Sequence, residues 1–298
     1  MIIAVTGSTG LVGSALVDAL EARGDLVRRV VRHEVADGDH EIYWKPSEGE
    51  IDAAELNGVD AVIHLAGENI AGGRWTEDFK RRVLDSRTRS TRLLAETLAG
   101  LEMKPNVVVS ASATGFYGNR GEEEVDELAP SGNGFLAEVC REWEAATEPI
   151  HDADIRLVKL RIGPVLSPKG GALAKMLLPF KLGLGGVIGS GRQYFSWIAL
   201  DDLVSAILFA LDTESLVGPV NAVTPHPVTN REFTKTLGRV LGRPTIFPMP
   251  AFAARLAFGE MADEMLIGGV RVAPHELIQA GFPFAYPELE PALRHLLK

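Results

Sequence analysis

Residues 6–13 read TGSTGLVG, three glycines at three-residue spacing between an apolar run, residues 2–6, and a stretch of helical periodicity, residues 11–23, that Gly24 ends. The context is strand, turn, helix. Each glycine has its own reason in such a turn: Gly7 permits the tight bend, Gly10 lets backbone approach a pyrophosphate, and Gly13 lets the helix settle close on the sheet. The helix N-terminus adds free N–H groups and the positive end of its dipole. Gly7, Ser8, Thr9, Gly10, Leu11 and Val12 are therefore the expected phosphate contacts.

Outward from that turn, residues 26–31, 61–65 (AVIHL), 107–110 (VVVS) and 154–162 (DIRLVKLRI) read as further strands. They are mostly continuous apolar runs, as in strands covered on both faces. Helical stretches at 78–98, 135–148 and 200–211 alternate with them, which implies right-handed crossovers. The expected fold is α/β, a Rossmann-like doubly wound parallel sheet with a smaller C-terminal α/β substrate lobe. Residues 1–165 form the dinucleotide domain, with 195–225 returning to it, and residues 166–194 and 226–298 form the lobe. Within the lobe, residues 183–191 (GLGGVIGSG) read as glycine-rich loop.

The end of the second strand selects the cofactor. An acidic residue there would hold a ribose 2'-hydroxyl, whereas this chain has Arg32 followed by His33, and a guanidinium suits a 2'-phosphate. NADP(H) is the expected cofactor.

A net charge of -10 with no block of Lys/Arg argues against nucleic acid or membrane as partner. Cys140 is the only cysteine, so no intramolecular disulfide forms, and the seven histidines show no paired metal-ligand spacing. No metal is expected. The N-terminus lacks a signal-peptide pattern and no run is long enough to span a bilayer, so the expected location is cytoplasmic.

TGSTGLVG, DAVIHLAGE (60–68) and VVVSASATGFYG (107–118) together resemble the extended short-chain dehydrogenase/reductases. GENIAGGRWTEDFKRRVLDSR, FLAEVCREWE, the stretch from GGALAKMLLPF to FSWIALDD, and GGVRVAPHELIQAGFPFAYPELEPAL resemble its atypical branch, labelled only epimerase family protein. The resemblance covers the whole chain. It implies a Rossmann core with a small C-terminal domain, and NADP(H) binding. It places Leu65, Ala66, Gly67 and Glu68 on the adenosine-ribose side, Ser110 and Ala111 beneath the nicotinamide, and Arg161 and Ile162 beside the carboxamide. Ser112 matches the hydroxyl that bonds the reacting oxygen.

The resemblance also implies a tyrosine and, four residues on, a lysine, where this chain has Phe135 and Val139. The usual acid–base pair is missing. Tyr117 is the best phenol left and joins Ser112 as a candidate catalytic group. Glu138 reads as a solvated helix residue, Cys140 as a small buried hydrophobe, and residues 121–127 (GEEEVDE) as a solvated acidic loop. Arg192, Tyr194 and Trp197 follow the glycine-rich loop and read as a substrate lid with an anion grip and an aromatic wall. Two functions stay open: an NADP(H)-dependent oxidoreductase or epimerase-like enzyme on an unknown small polar substrate, or a non-catalytic NADP(H) sensor. A homodimer is compatible with either.

Overall fold

The computed structural model describes residues 1–35 and 40–298. The chain divides into two compact units, one of residues 1–112, 139–160 and 204–220, the other of residues 113–138, 161–203 and 221–298.

The first unit holds an eight-stranded sheet of β1 (Ile2–Thr6), β2 (Leu26–Val31), β3 (Glu41–Lys45), β4 (Glu50–Ile51), β5 (Ala61–His64), β6 (Val107–Ala113), β7 (Arg156–Ile162) and β8 (Gly218–Ala222). The strand order is β8-β7-β6-β5-β1-β2-β3-β4. β1 pairs in parallel with β2 and β5, and β5 with β6, so the order turns outward in both directions from β1. A doubly wound sheet binds ligand at the carboxyl ends of strands beside such a switch point. Here those ends are Thr6, His64 and the serines of β6.

Ile3, Ala4, Val5, Val62 and Val108 are fully buried, the burial that continuous apolar strands require. One side of the sheet packs on Leu94 and Leu98 of helix α2 (Glu77–Gly100), with Ile150 and Leu157 completing the cluster. Thr76 caps that helix, its Oγ1 accepting from the Phe79 N–H at 3.2 Å. Helix α1 (Leu11–Arg23) ends at Gly24 in the left-handed conformation, φ 86°, donating to the carbonyls of Leu20 and Glu21.

Two boundaries and one strand near the site differ from the sequence reading. β6 runs on to Ala113, so Ser110, Ala111 and Ser112 are strand residues. Helix α3 (Phe135–Ala145) stops early, and a second short helix restarts at Glu148 with Pro149 in its first turn. β3 (EIYWK) gives little signal in sequence because its apolar residues only alternate with polar ones, Ile42 and Trp44 pointing inward.

The second unit packs helix α4 (Gly171–Lys181) and helix α6 (Asn230–Leu241) through Leu173, Phe180, Phe233 and Leu237, around a fully buried Trp197. Between them in the chain lies helix α5 (Leu200–Asp212), and after them helix α7 (Ala251–Phe258). The C-terminal helix contributes Ala292 and Leu293 to the same core. The Asp202 carboxylate, buried, accepts from the N–H groups of Ala285 and Tyr286 at 2.8 and 2.9 Å and so ties the C-terminal segment down.

Candidate functional site

The turn after β1 has the geometry its glycines imply. Gly7 sits at φ 68°, and a Cβ there would meet the Leu65 carbonyl at 2.9 Å. A Cβ on Gly13 would stand 2.1 Å from the Gly7 oxygen, so any side chain would push the helix off the turn. Gly10 caps α1 with no side-chain hydrogen bond and no acidic residue in the first turn. The first-turn N–H groups are thus left for an outside acceptor, with no carboxylate to compete with an anion. Ser8 is buried, Thr9 and Gly10 are exposed, and Leu11 and Val12 are half-buried.

Arg32 follows directly on β2 and is exposed. It makes no hydrogen bond or ion pair with the described residues. His33 beside it engages Glu41, Nε2 to Oε2 2.8 Å, which occupies the nearest carboxylate on β3. A pyrophosphate cradle lined by glycine, with an exposed guanidinium at the next strand end, fits a dinucleotide carrying an extra phosphate.

A buried network holds the wall of this site. Thr6 Oγ1 accepts from the Leu65 and Ala66 N–H groups at 3.1 and 3.2 Å, so its own proton goes to His64 Nδ1 at 2.8 Å. His64 Nε2–H then donates to Thr91 Oγ1 at 2.8 Å, which also accepts from Trp143 Nε1–H at 3.0 Å. The tautomer is fixed by its partners. Burial drives the His64 pKa from 6.5 down to about 4, so the ring is neutral. Beyond it, Arg87 donates to the Glu68 carbonyl at 2.9 Å and lies over the Trp143 ring at 5.0 Å, and a Cβ on Gly67 would approach its Cζ at 3.3 Å. Leu65 to Glu68 are therefore placed by Thr6, His64 and Arg87. No motif names His64 or Arg87, but a histidine in an apolar strand must find partners, and that is a usable signal.

On β6, Ser110 Oγ is buried without a hydrogen-bond partner, an orphan acceptor or donor on the strand expected to pass beneath the nicotinamide. Ala111 is buried beside it. Ser112 Oγ–H donates to Glu144 Oε1 at 2.7 Å, both residues buried. Glu144 lies further along α3 from the position of the missing tyrosine and has no signature in the sequence. On the same helix Val139 and Cys140 are buried and Glu138 is exposed. Val139, at 2 % exposure, is core and not the wall of an open cleft. The helix start is held instead by Glu264, whose carboxylate accepts from the N–H groups of Phe135 and Leu136 at 3.2 and 3.3 Å.

In the second unit the Tyr117 hydroxyl donates to Asn221 Oδ1 at 2.7 Å and accepts from Arg161 Nη1–H at 2.9 Å. Burial pushes its pKa to about 12. Its proton is therefore held in a structural cluster. Arg161, 4 % exposed, stacks 3.6 Å over the Phe116 ring and donates to the Glu127 carbonyl, while Ile162 is half-buried. Glu127 corrects the reading of GEEEVDE as a solvated loop: it is 5 % exposed, and Oε1 accepts from the N–H groups of Asn221 and Glu276 at 2.9 and 3.3 Å. Glu127 lies in the turn just after the strand Glu124–Val125, and its carboxylate is drawn inward by those two N–H donors. Trp197 is likewise no lid residue but the centre of the unit's core, because WIAL runs straight into the buried start of α5. Arg192 is exposed, and Tyr194 is half-buried in a two-residue strand paired to Val228–Thr229.

The sequence model of the NAD dependent epimerase/dehydratase family matches residues 3–222, and one described as a domain of unknown function (DUF1731) matches residues 249–296. An epimerase family protein of Mycobacterium bovis is 46 % identical over 292 residues, 98 % of this chain and 96 % of its own. The crystal structure of human epimerase family protein SDR39U1 (isoform 2) with NADPH is 38 % identical and superposes with a TM-score of 0.91, covering 99 % of both chains. A nucleoside-diphosphate sugar epimerase structure from Corynebacterium glutamicum is 37 % identical with a TM-score of 0.81, covering all of this chain and 58 % of that one.

Proposed function

The chain belongs to the NAD dependent epimerase/dehydratase family, and on that premise we propose that it is a cytoplasmic NADP(H)-dependent oxidoreductase or epimerase-like enzyme acting on a small polar substrate. The observation that carries the cofactor is the uncapped, glycine-lined start of α1 together with an exposed Arg32 that has no ion-pair partner among the described residues. The human relative crystallised with NADPH supports it. We assign the first unit to the cofactor, through Gly7 to Val12, Arg32, His33, Leu65 to Glu68, Ser110 and Ala111, and the second to the substrate.

When bound, the nicotinamide supplies or accepts the hydride. The chain's own task is then to orient the substrate oxygen and move one proton. Tyr117 is poorly suited, since its proton is bonded to Asn221 and its pKa is raised to about 12. Ser112 is better placed. Its hydroxyl is already bonded to the Glu144 carboxylate, which polarises Oγ and offers the proton a destination in place of the absent tyrosine and lysine. In the oxidation direction the substrate hydroxyl would pass its proton through Ser112 to Glu144.

Titrating wild type and Arg32→Ala with NADPH and NADH tests the cofactor: the variant should lose about 1.5–3 kcal/mol toward NADPH only. Equal affinity of the wild type for the two dinucleotides would refute the assignment. Single-turnover oxidation of bound NADPH against small aldehydes, ketones and quinones tests the chemistry, with Ser112→Ala and Glu144→Gln both expected to slow it about 100-fold or more. The sensor reading is favoured by one observation, that Phe135 and Val139 can neither donate a proton nor carry charge. NADPH binding with no turnover across the whole screen would select it.

A further inference from the structure

Two stretches of the second unit contain no carboxylate: residues 162–200, which carry Lys169, Lys175, Lys181 and Arg192, and residues 233–259, which carry Lys235, Arg239, Arg243 and Arg255. In a chain of net charge -10 that is a strong local inversion. The fold lays the two stretches side by side. The Met249 N–H donates to the Val187 carbonyl and the Gly189 N–H to the Met249 carbonyl, both at 2.9 Å, while α4 and α6 share a core beneath.

The same two stretches expose large apolar side chains that a folded domain normally hides. Leu178 and Leu182, one helical turn apart, are 67 % and 65 % exposed, and Leu184 follows them. Across the paired segment stand Phe247, then Phe252 and Leu256 one turn apart on α7, at 72 % and 80 %. Clustered exposed apolar groups rimmed by charge mark an interaction surface. Lys181 adjoins Leu182 in the chain and Arg243 precedes the segment of Phe247, and neither makes an ion pair with a described residue, whereas Arg255 is paired with Asp263 and Arg239 with Glu290.

We propose that this face docks on an anionic phospholipid bilayer. Leu178, Leu182, Phe252 and Leu256 enter the boundary between headgroups and acyl chains, and Lys181 and Arg243 meet the lipid phosphates. The charge pattern selects this occupant. A second copy of the chain would bring like charges together on the two facing surfaces, and a nucleic acid would leave the leucines and phenylalanines without partners. No helix among the described residues is long and apolar enough to cross a membrane, so the protein lies on the surface. The acidic remainder of the chain does not oppose this, because charges more than about 8–10 Å away are screened at physiological salt.

Flotation with vesicles of phosphatidylglycerol and phosphatidylcholine, against pure phosphatidylcholine, tests the proposal. The wild type should float with the anionic vesicles only, and less at high salt. Lys181→Ala and Arg243→Ala should each weaken binding roughly fivefold, the scale of one cation near an anionic surface. Phe252→Asp with Leu256→Asp should abolish flotation while leaving the melting temperature and NADPH titration unchanged, since both residues are exposed and lie outside the cofactor turn. Leu178→Asp with Leu182→Asp makes the same test from the other segment, should the first pair melt early. Failure of the wild type to float, or flotation indifferent to both aspartate pairs, overturns the proposal. So does a concentration-dependent dimer in sedimentation velocity that Phe252→Asp disperses, which would give the face to a second copy.

Discussion

His64 in the first unit and Glu127 in the second are both buried titratable side chains in hydrogen-bonded networks, and the two networks are closed differently. Both ring nitrogens of His64 have partners, drawn from β1 and α2, and the chain of donors ends on Trp143. Glu127 has two N–H donors on one oxygen and none on the other, Oε2 being buried without a partner. The closed network fixes a neutral tautomer and holds the cofactor wall. The open one leaves a carboxyl whose cheapest remedy is a proton, and burial does push its pKa up. Two buried groups thus answer to pH in opposite senses, because burial favours the neutral form of each, which is the deprotonated imidazole but the protonated carboxyl.

The largest effect should come from opening the closed network. Thr6→Val keeps the shape of the side chain but removes the acceptor of the Leu65 and Ala66 N–H groups and the donor to His64. The Leu65 N–H keeps the Thr6 carbonyl at 3.3 Å. The Ala66 N–H and the buried His64 Nδ1 lose their partner at about 1–3 kcal/mol each, so a loss of about 3–4 kcal/mol in urea unfolding is expected, with weaker NADPH binding because Leu65 to Glu68 lose an anchor. A variant as stable as wild type would mean that water replaces the hydroxyl and that the network does not position the wall.

Next in size is the titration of His64 itself. Its folded pKa, about 4, lies below the ordinary 6.5, so the folded state binds fewer protons than the unfolded one between those values. The stability of the neutral buried ring is complete above pH 6.5 and is lost as pH falls toward 4, by about 3 kcal/mol in all. Denaturation midpoints from pH 7 to pH 4 should therefore fall more steeply in wild type than in His64→Gln. Parallel curves would show that some other group carries the acid sensitivity.

These two networks also separate what is legible in the sequence from what is not. The β1 turn is legible because its physics is local: a positive φ at Gly7 and a close approach at Gly13 each demand a residue type at a fixed place in the chain. The early strands are legible for the same reason, being continuous apolar runs. Arg32 needs only the end of β2. Glu127 is hidden, since an acidic run reads as solvated on average, and the N–H donors that draw it inward, on Asn221 and Glu276, lie far along the chain. Trp197 misleads because the glycine-rich loop before it suggests a lid, while the buried run it opens, WIAL, belongs to the core. Glu144 reaches Ser112 across 32 residues, a pairing that depends on how α3 packs and on nothing near either residue in sequence.

The smallest effect, and the sharpest test of the contrast, is Glu127→Gln. The glutamine keeps an acceptor for the Asn221 and Glu276 N–H groups and stands where a protonated carboxyl would, so stability near pH 4.5 should change by no more than about 1 kcal/mol. The informative quantity is the slope. A folded pKa above 4.5 means that the folded state holds a proton the unfolded chain has released, so wild type has its full stability below 4.5 and loses part of it as pH rises through the raised value. An amide has no proton to lose there. The variant should therefore gain on wild type as pH is raised from 4.5 to 8, the reverse of the trend expected at His64. A variant that is less stable by a constant amount at every pH would show that Glu127 is ionised in the fold, and that its second oxygen has found a partner such as water.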